Sequence, residues 1–130
     1  MSANPSRSRR VLVVEDHPDN RMLATKVLKR AGFETVEAVR AEGLAALIVA
    51  ERPDLILMDI ELPGVSGYEA VQALKADPAT AEIPIIALTA YAMQDDRQRC
   101  LRAGCCDYVS KPLDIALLVE TVRKYIQQSK

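Results

Sequence analysis

Short apolar runs recur five times along this 130-residue chain, each followed by a longer amphipathic stretch. That alternation constrains the fold more than any other feature. Val11 to Val14 is a continuous β-branched run, the mark of a strand buried on both faces. Leu55 to Met58 is a second such run and Pro84 to Leu88 a third. Glu34 to Ala38, centred on Val36, and the short pair Tyr108 and Val109 complete a set of five strands. Between them the apolar spacing changes to that of a helix. Asn20 to Ala31 aligns Leu23, Val27, Leu28 and Ala31, with Gly32 as its stop. Ala41 to Glu51 aligns Leu44, Leu47 and Ile48 ahead of Pro53. Gly67 to Ala76 turns Val71 and Leu74 inward after a turn at Pro63 and Gly64. Gln94 to Ala103 ends at Gly104, and a stripe of Ile115, Leu118, Val119, Val122 and Ile126 runs toward the end of the chain.

Strands alternating with helices imply a parallel sheet, because each parallel crossover needs a helix to return the chain. The expected architecture is a doubly wound α/β domain, a five-stranded parallel sheet covered by helices on both faces. A chain of this length suits one such domain. Apolar and charged fractions of 49% and 27% are those of an ordinary globular protein, and a net charge of −1 offers no basis for direct binding to nucleic acid. The longest apolar stretch, Leu44 to Ala50, is far short of the roughly 18 residues of a membrane span. No export signal precedes it, so the expected location is the cytoplasm. Residues 1–9 are rich in Ser and Arg and read as a disordered tail, with the folded domain over residues 10–130. Cys100, Cys105 and Cys106 form no CxxC pair and lie far in sequence from the single histidine, His17, so they read as reduced thiols.

In a sheet of this kind, ligands collect beyond the carboxyl ends of the strands. Glu15 and Asp16 follow the first strand, Asp59 ends the third, Thr89 follows the fourth and Lys111 the fifth. Each has an ordinary structural reading as a cap, a turn or a surface charge. Together they crowd three carboxylates whose mutual repulsion a hard divalent cation relieves. All-oxygen ligands point to Mg²⁺ or Mn²⁺, and Mg²⁺ keeps waters free for an incoming phosphate. Metal, lysine and hydroxyl suit a phosphoryl group in transfer, and a carboxylate can accept one.

The segments "VVEDHPDN", "LILMDIELPGVSGYE", "ALTAYA" and "DYVSKPL" resemble the receiver domains of bacterial two-component response regulators, over Arg10 to Gln127. That resemblance implies a flavodoxin-like sheet of five strands in the order 2-1-3-4-5, and that Asp59 is the phosphoacceptor. It implies that Glu15 and Asp16 serve Mg²⁺, with Asp16 a direct ligand, and that Glu61 lends it a backbone carbonyl. Thr89 and Lys111 would contact the phosphoryl group, Thr89 and Tyr108 would form the switch, and Lys111–Pro112 would be cis. Glu61 and Tyr91 would flank the phosphoryl site. The implied partners are a histidine kinase or histidine phosphotransfer protein and a downstream protein, without membrane contact, the chain acting as a monomer or weak dimer. Its only enzymatic chemistry would be its own phosphorylation and dephosphorylation. "EDHPDN" and "LTAYAM" are similar to the corresponding stretches of DivK-type regulators and of receivers in hybrid kinases, and the expectation is a standalone receiver. An aspartyl phosphatase would carry a second acid two residues beyond its nucleophile and a cap. A flavin-binding domain would carry hydroxyls or glycines after the first strand, where "EDHPD" repels phosphate.

Overall fold

A computed structural model describes residues 9–62, 66–90 and 94–126, without the side chains of 94–96. The elements run β1 (Arg10–Val14), α1 (Pro18–Arg30), β2 (Glu34–Ala38), α2 (Leu44–Glu51), β3 (Leu55–Asp59), α3 (Gly67–Ala76), β4 (Ile85–Thr89), α4 (Gln94–Ala103), β5 (Asp107–Ser110) and α5 (Ile115–Ile126). The five strands are parallel, in the order β2-β1-β3-β4-β5. The expected architecture is therefore the one formed. The turn expected at Pro63 and Gly64, Tyr91, and the ends of the chain lie outside the described residues.

Period-two alternation along the central strands divides the core. Leu12, Val14, Ile56, Met58, Ile85 and Ala87 face α2, α3 and α4 through Ile48, Val71, Leu74 and Cys100. Val11, Val13, Leu55, Leu57, Ile86 and Leu88 face α1 and α5 through Leu28, Leu118 and Val122. Every residue of β3 and β4 is buried, and both strands are apolar up to their last residues, Asp59 and Thr89. The edge strand β2 is only partly covered and carries two glutamates.

Element boundaries shift where backbone chemistry decides them. Helix α1 begins at Pro18, two residues before the expected start, because proline's fixed φ and missing N–H suit a first helical turn. Helix α2 starts only at Leu44, because Gly43 just before it has φ +80°. It stops at Glu51, one residue before the left-handed Arg52. In α5, Leu118, Val122 and Ile126 are buried but Ile115 is 50% exposed, so the expected stripe loses its first member. In α1 the buried side chains are Ala24, Thr25, Val27 and Leu28, with Leu23 and Ala31 only partly covered. Arg9 is tied to the domain: its carbonyl accepts from the Glu34 N–H, and its guanidinium donates to the Ile126 carbonyl.

Two features seat the loop after β3. The Ile60 N–H donates to the Leu88 carbonyl at 3.0 Å, and the Gly67 N–H to the Ile60 carbonyl at 3.1 Å. The start of α3 consequently lies against the main chain of that loop. A Cβ at Gly67 would stand 2.5 Å from the Ile60 Cα and 2.8 Å from the Asp59 carbonyl oxygen, so this position requires glycine. Ser66 caps the helix by accepting the Tyr68 N–H.

Candidate functional site

The carboxyl ends of β1, β3, β4 and β5 converge on one buried group of charges. Asp59 is the last residue of β3, pairs with Leu88 across the sheet and is 1% exposed. A strand with all five positions buried fixes it, so its carboxylate has little freedom to turn away. One of its oxygens, Oδ1, accepts the Glu61 N–H at 2.9 Å and meets the Lys111 ammonium at 3.0 Å.

Glu15 follows β1, its N–H held by the Ala38 carbonyl of β2 at 3.0 Å. Its side chain, 1% exposed, lies 3.3 Å from Lys111 Nζ through Oε1 and accepts the His17 N–H through Oε2. Glu15 Oε1 makes no hydrogen bond among the described residues; the lysine meets it as an ion pair only. Burial, then the adjacent Asp59 carboxylate, push the Glu15 carboxyl up to about 7, against the opposing pull of the His17 N–H and Lys111. Two carboxylates this close repel each other when both are ionised, which favours a proton on one of them. Asp16 is exposed beside them. Ligand oxygens of Glu15, Asp16 and Asp59 all lie within 4.8 Å of one another. Among the described residues, no cysteine joins this group.

Lys111 follows β5, its N–H bonded to the Thr89 carbonyl at 2.8 Å, which anchors the β5 end to the β4 end. The Lys111–Pro112 peptide bond is cis, as the family resemblance implied. Burial alone would lower the lysine's pKa, but the hydrogen bond and charge of Asp59 and the charge of Glu15 outweigh it and leave it above its ordinary value. Lys111 therefore keeps its proton at neutral pH and offsets part of a carboxylate excess.

That offset is incomplete. One ammonium faces three carboxylates, at 3.3 Å for Glu15, 3.0 Å for Asp59 and 3.7 Å for Glu61, with Asp16 adjacent. An all-oxygen donor set, a surplus of negative charge and a buried acceptor without a hydrogen bond fit Mg²⁺. They suit zinc less well, because zinc sites are built mainly on cysteine sulfur and histidine nitrogen.

Thr89 ends β4 and is 1% exposed. Its hydroxyl donates to Glu61 Oε2 at 3.0 Å, and the Ala90 N–H donates to both Glu61 carboxylate oxygens at 3.2 Å. Tyr108 lies on β5 in register with Ala87 of β4, partly buried, with the Arg97 guanidinium of α4 5.9 Å from its ring centroid. The structure thus brings Glu15, Asp16, Asp59, Glu61, Thr89 and Lys111 into one cleft. Tyr108 stands apart, on the side of the sheet that α4 covers. Sequence reasoning missed the Ala90 N–H, a backbone donor with no side-chain signature. It also missed the contacts of the Glu61 side chain with Thr89 and Ala90, since the resemblance placed Glu61 beside the phosphoryl site and gave a role only to its main-chain carbonyl.

The family model of the response regulator receiver domain matches residues 11–123. The polar-differentiation response regulator DivK of Brucella anthropi is 42% identical over 116 residues, covering 89% of this chain and 94% of that protein. DivK of Brucella ovis is 41% identical over the same shares. Among solved structures, a response regulator from Chloroflexus aurantiacus superposes with a TM-score of 0.88 at 29% identity, covering 93% of this chain and 99% of that one. The receiver domain of a sensor histidine kinase from Pseudomonas aeruginosa, with a magnesium ion coordinated in its active-site cleft, has a TM-score of 0.84 at 35% identity and the same coverage. Among the described residues no helix is long and apolar enough to cross a membrane.

Proposed function

We propose, because the chain belongs to the response regulator receiver domain family, that Asp59 is its phosphoacceptor and that a phosphohistidine protein, kinase or phosphotransfer domain, is the donor. The observation that carries this is Asp59 itself: a carboxylate fixed at the end of a fully buried strand, 3.0 Å from a protonated lysine and within 4.8 Å of two further carboxylates. A buried carboxylate left without such partners would cost several kcal/mol, so its placement calls for the surrounding charges.

In this reading a carboxylate oxygen of Asp59 forms a bond to phosphorus while the bond from phosphorus to the donor's imidazole nitrogen breaks. The imidazole leaves with the bonding pair. Lys111 holds Asp59 in place and balances the charge of the new phosphoryl oxygens. The Thr89 hydroxyl and the Ala90 N–H aim at the same region from β4, where they would donate to a phosphoryl oxygen. Asp16, Asp59 and the Glu61 main-chain carbonyl would hold Mg²⁺ with Glu15 beside them; when bound, the ion supplies charge neutralisation for the transferring group.

The domain signals and does not turn over a substrate; autophosphorylation and self-hydrolysis are its proposed chemistry. Its output is proposed to be a protein partner bound at the surface of α4, β5 and α5. Thr89 is drawn to the phosphoryl group, and Tyr108 reports that movement through its contact with α4. The proposed setting is the cytoplasm, without direct nucleic-acid or membrane contact, as a monomer or weak dimer. The test is incubation with a phosphohistidine donor or a small acyl phosphate and Mg²⁺. One acid-stable, base-labile phosphate should appear per chain and map to Asp59. Wild-type yield in Asp59→Ala would reject the assignment.

A further inference from the structure

Glu61 holds the donors that a phosphoryl group on Asp59 would need. Its Oε2 accepts the Thr89 hydroxyl at 3.0 Å, both its oxygens accept the Ala90 N–H at 3.2 Å, and Oε1 is 3.7 Å from Lys111 Nζ. A carboxylate with two anionic oxygens spanning a hydroxyl, a main-chain N–H and an ammonium copies part of a phosphoryl group's contact pattern. These contacts cross from the loop after β3 to the end of β4, 28 residues further along the chain.

We infer that the Glu61 side chain is an internal occupant of the phosphoryl-oxygen site, and that its displacement gates phosphate uptake. The inference rests on the reading of Asp59 as phosphoacceptor. Two anions cannot share the same donors, so Glu61 must leave before the phosphoryl group settles. The route is open, because the Glu61 side chain is 29% exposed at the rim while Asp59 and Glu15 are buried. Its main chain need not move: the Glu61 N–H remains on Asp59 Oδ1 at 2.9 Å, and its carbonyl stays available to a cation. The side chain therefore sets the occupancy of the site without being part of the acceptor. Between phosphorylation events the same contacts keep the Thr89 hydroxyl and the Ala90 N–H paired with protein.

The experiment compares wild type, Glu61→Ala and Glu61→Gln as full chains with acetyl phosphate and saturating Mg²⁺. Initial phosphate uptake is followed by intact mass, at low salt and at 1 M salt. Glu61→Ala should take up phosphate about tenfold faster than wild type, the factor expected when charge-assisted hydrogen bonds no longer have to be broken. That advantage should persist at 1 M salt, where screening acts over about 3 Å and simple repulsion between Glu61 and the anionic donor is damped. Glu61→Gln keeps the length and one acceptor oxygen, so it should gain less than Glu61→Ala. An unchanged or lower rate in Glu61→Ala overturns the inference. So does a gain that vanishes at 1 M salt, or one of equal size in both variants, since charge alone would then account for it. The parent reading fails separately: it is lost if neither wild type nor any variant is labelled at Asp59, whereas a wild type labelled at Asp59 with a rate equal to that of Glu61→Ala removes only the gate.

Discussion

The carboxyl of Glu15 carries a pH dependence that a single substitution can isolate. Its ordinary value is 4.5, and burial with the neighbouring Asp59 pushes it up to about 7 in the fold. Below pH 4.5 it is protonated in both folded and unfolded chains and makes no difference. Between about 4.5 and 7 the unfolded chain has released this proton and the folded chain still holds it. Stability of the metal-free protein therefore falls as pH rises through that window, by a loss on the order of 3 kcal/mol, and stays at the lower level above it. Denaturant titrations in chelator from pH 4.5 to 8 should show that decline in wild type and a flatter profile in Glu15→Gln; identical slopes would detach the effect from Glu15. Thr89 bears the second prediction. Thr89→Ala removes a hydroxyl but leaves Lys111 and the carboxylates, so Asp59 should still be labelled. The ratio of partner affinities between phosphorylated and unphosphorylated protein should shrink, from a coupling of about 1–3 kcal/mol, or roughly 5- to 150-fold. An undiminished ratio would take Thr89 out of the switch.

Among the elements, the junction of β3 and α3 is the most exacting. The start of α3 is seated on the loop that carries Ile60 and Glu61, with room at Gly67 for a hydrogen and nothing larger. The neighbours are main-chain atoms, which a rotamer change cannot move aside. Gly67→Ala should destabilise the domain by about 1–3 kcal/mol, the range for forced overpacking. It should also weaken Mg²⁺ binding, because the displaced main chain includes the loop whose carbonyl is the proposed ligand. Thermal unfolding with and without Mg²⁺ reads both effects. A melting temperature within a degree of wild type would show that α3 can slide without disturbing the loop. The contrast with Gly32 and Gly43 is instructive. Both have positive φ but open space around the missing Cβ, so a substitution there strains only the local turn.

For the molecule as a whole, the surplus of carboxylates over cations at the strand ends predicts stabilisation by Mg²⁺. A ligand that binds only the folded chain at ten times its Kd adds about 1.4 kcal/mol, roughly 5 °C in melting temperature for a domain of this size. Millimolar Mg²⁺ should raise the Tm of wild type and not that of Asp16→Ala; no shift in wild type would count against the cation site. The sequence alone determined the strand–helix alternation, because burial on two faces demands unbroken apolar runs and helical crossovers demand an amphipathic period. It also determined which strand ends carry polar groups, since the pair Glu15 and Asp16, Asp59 and Thr89 directly follow such runs and Lys111 comes two residues after Val109. Helix starts were less legible, because a proline or a left-handed residue moves a boundary without altering the apolar pattern, as Pro18 and Gly43 did. The exposure of Ile115 was hidden too, since a periodic stripe does not say where the sheet beneath it ends. Only the tertiary structure decided that Lys111 is shared among three carboxylates, that Glu15 holds a buried oxygen without a hydrogen bond, and that Glu61 reaches Thr89 and Ala90. Those are distances between residues remote along the chain. They depend on the angles at which four loops leave the sheet, and local periodicity carries no information about such angles.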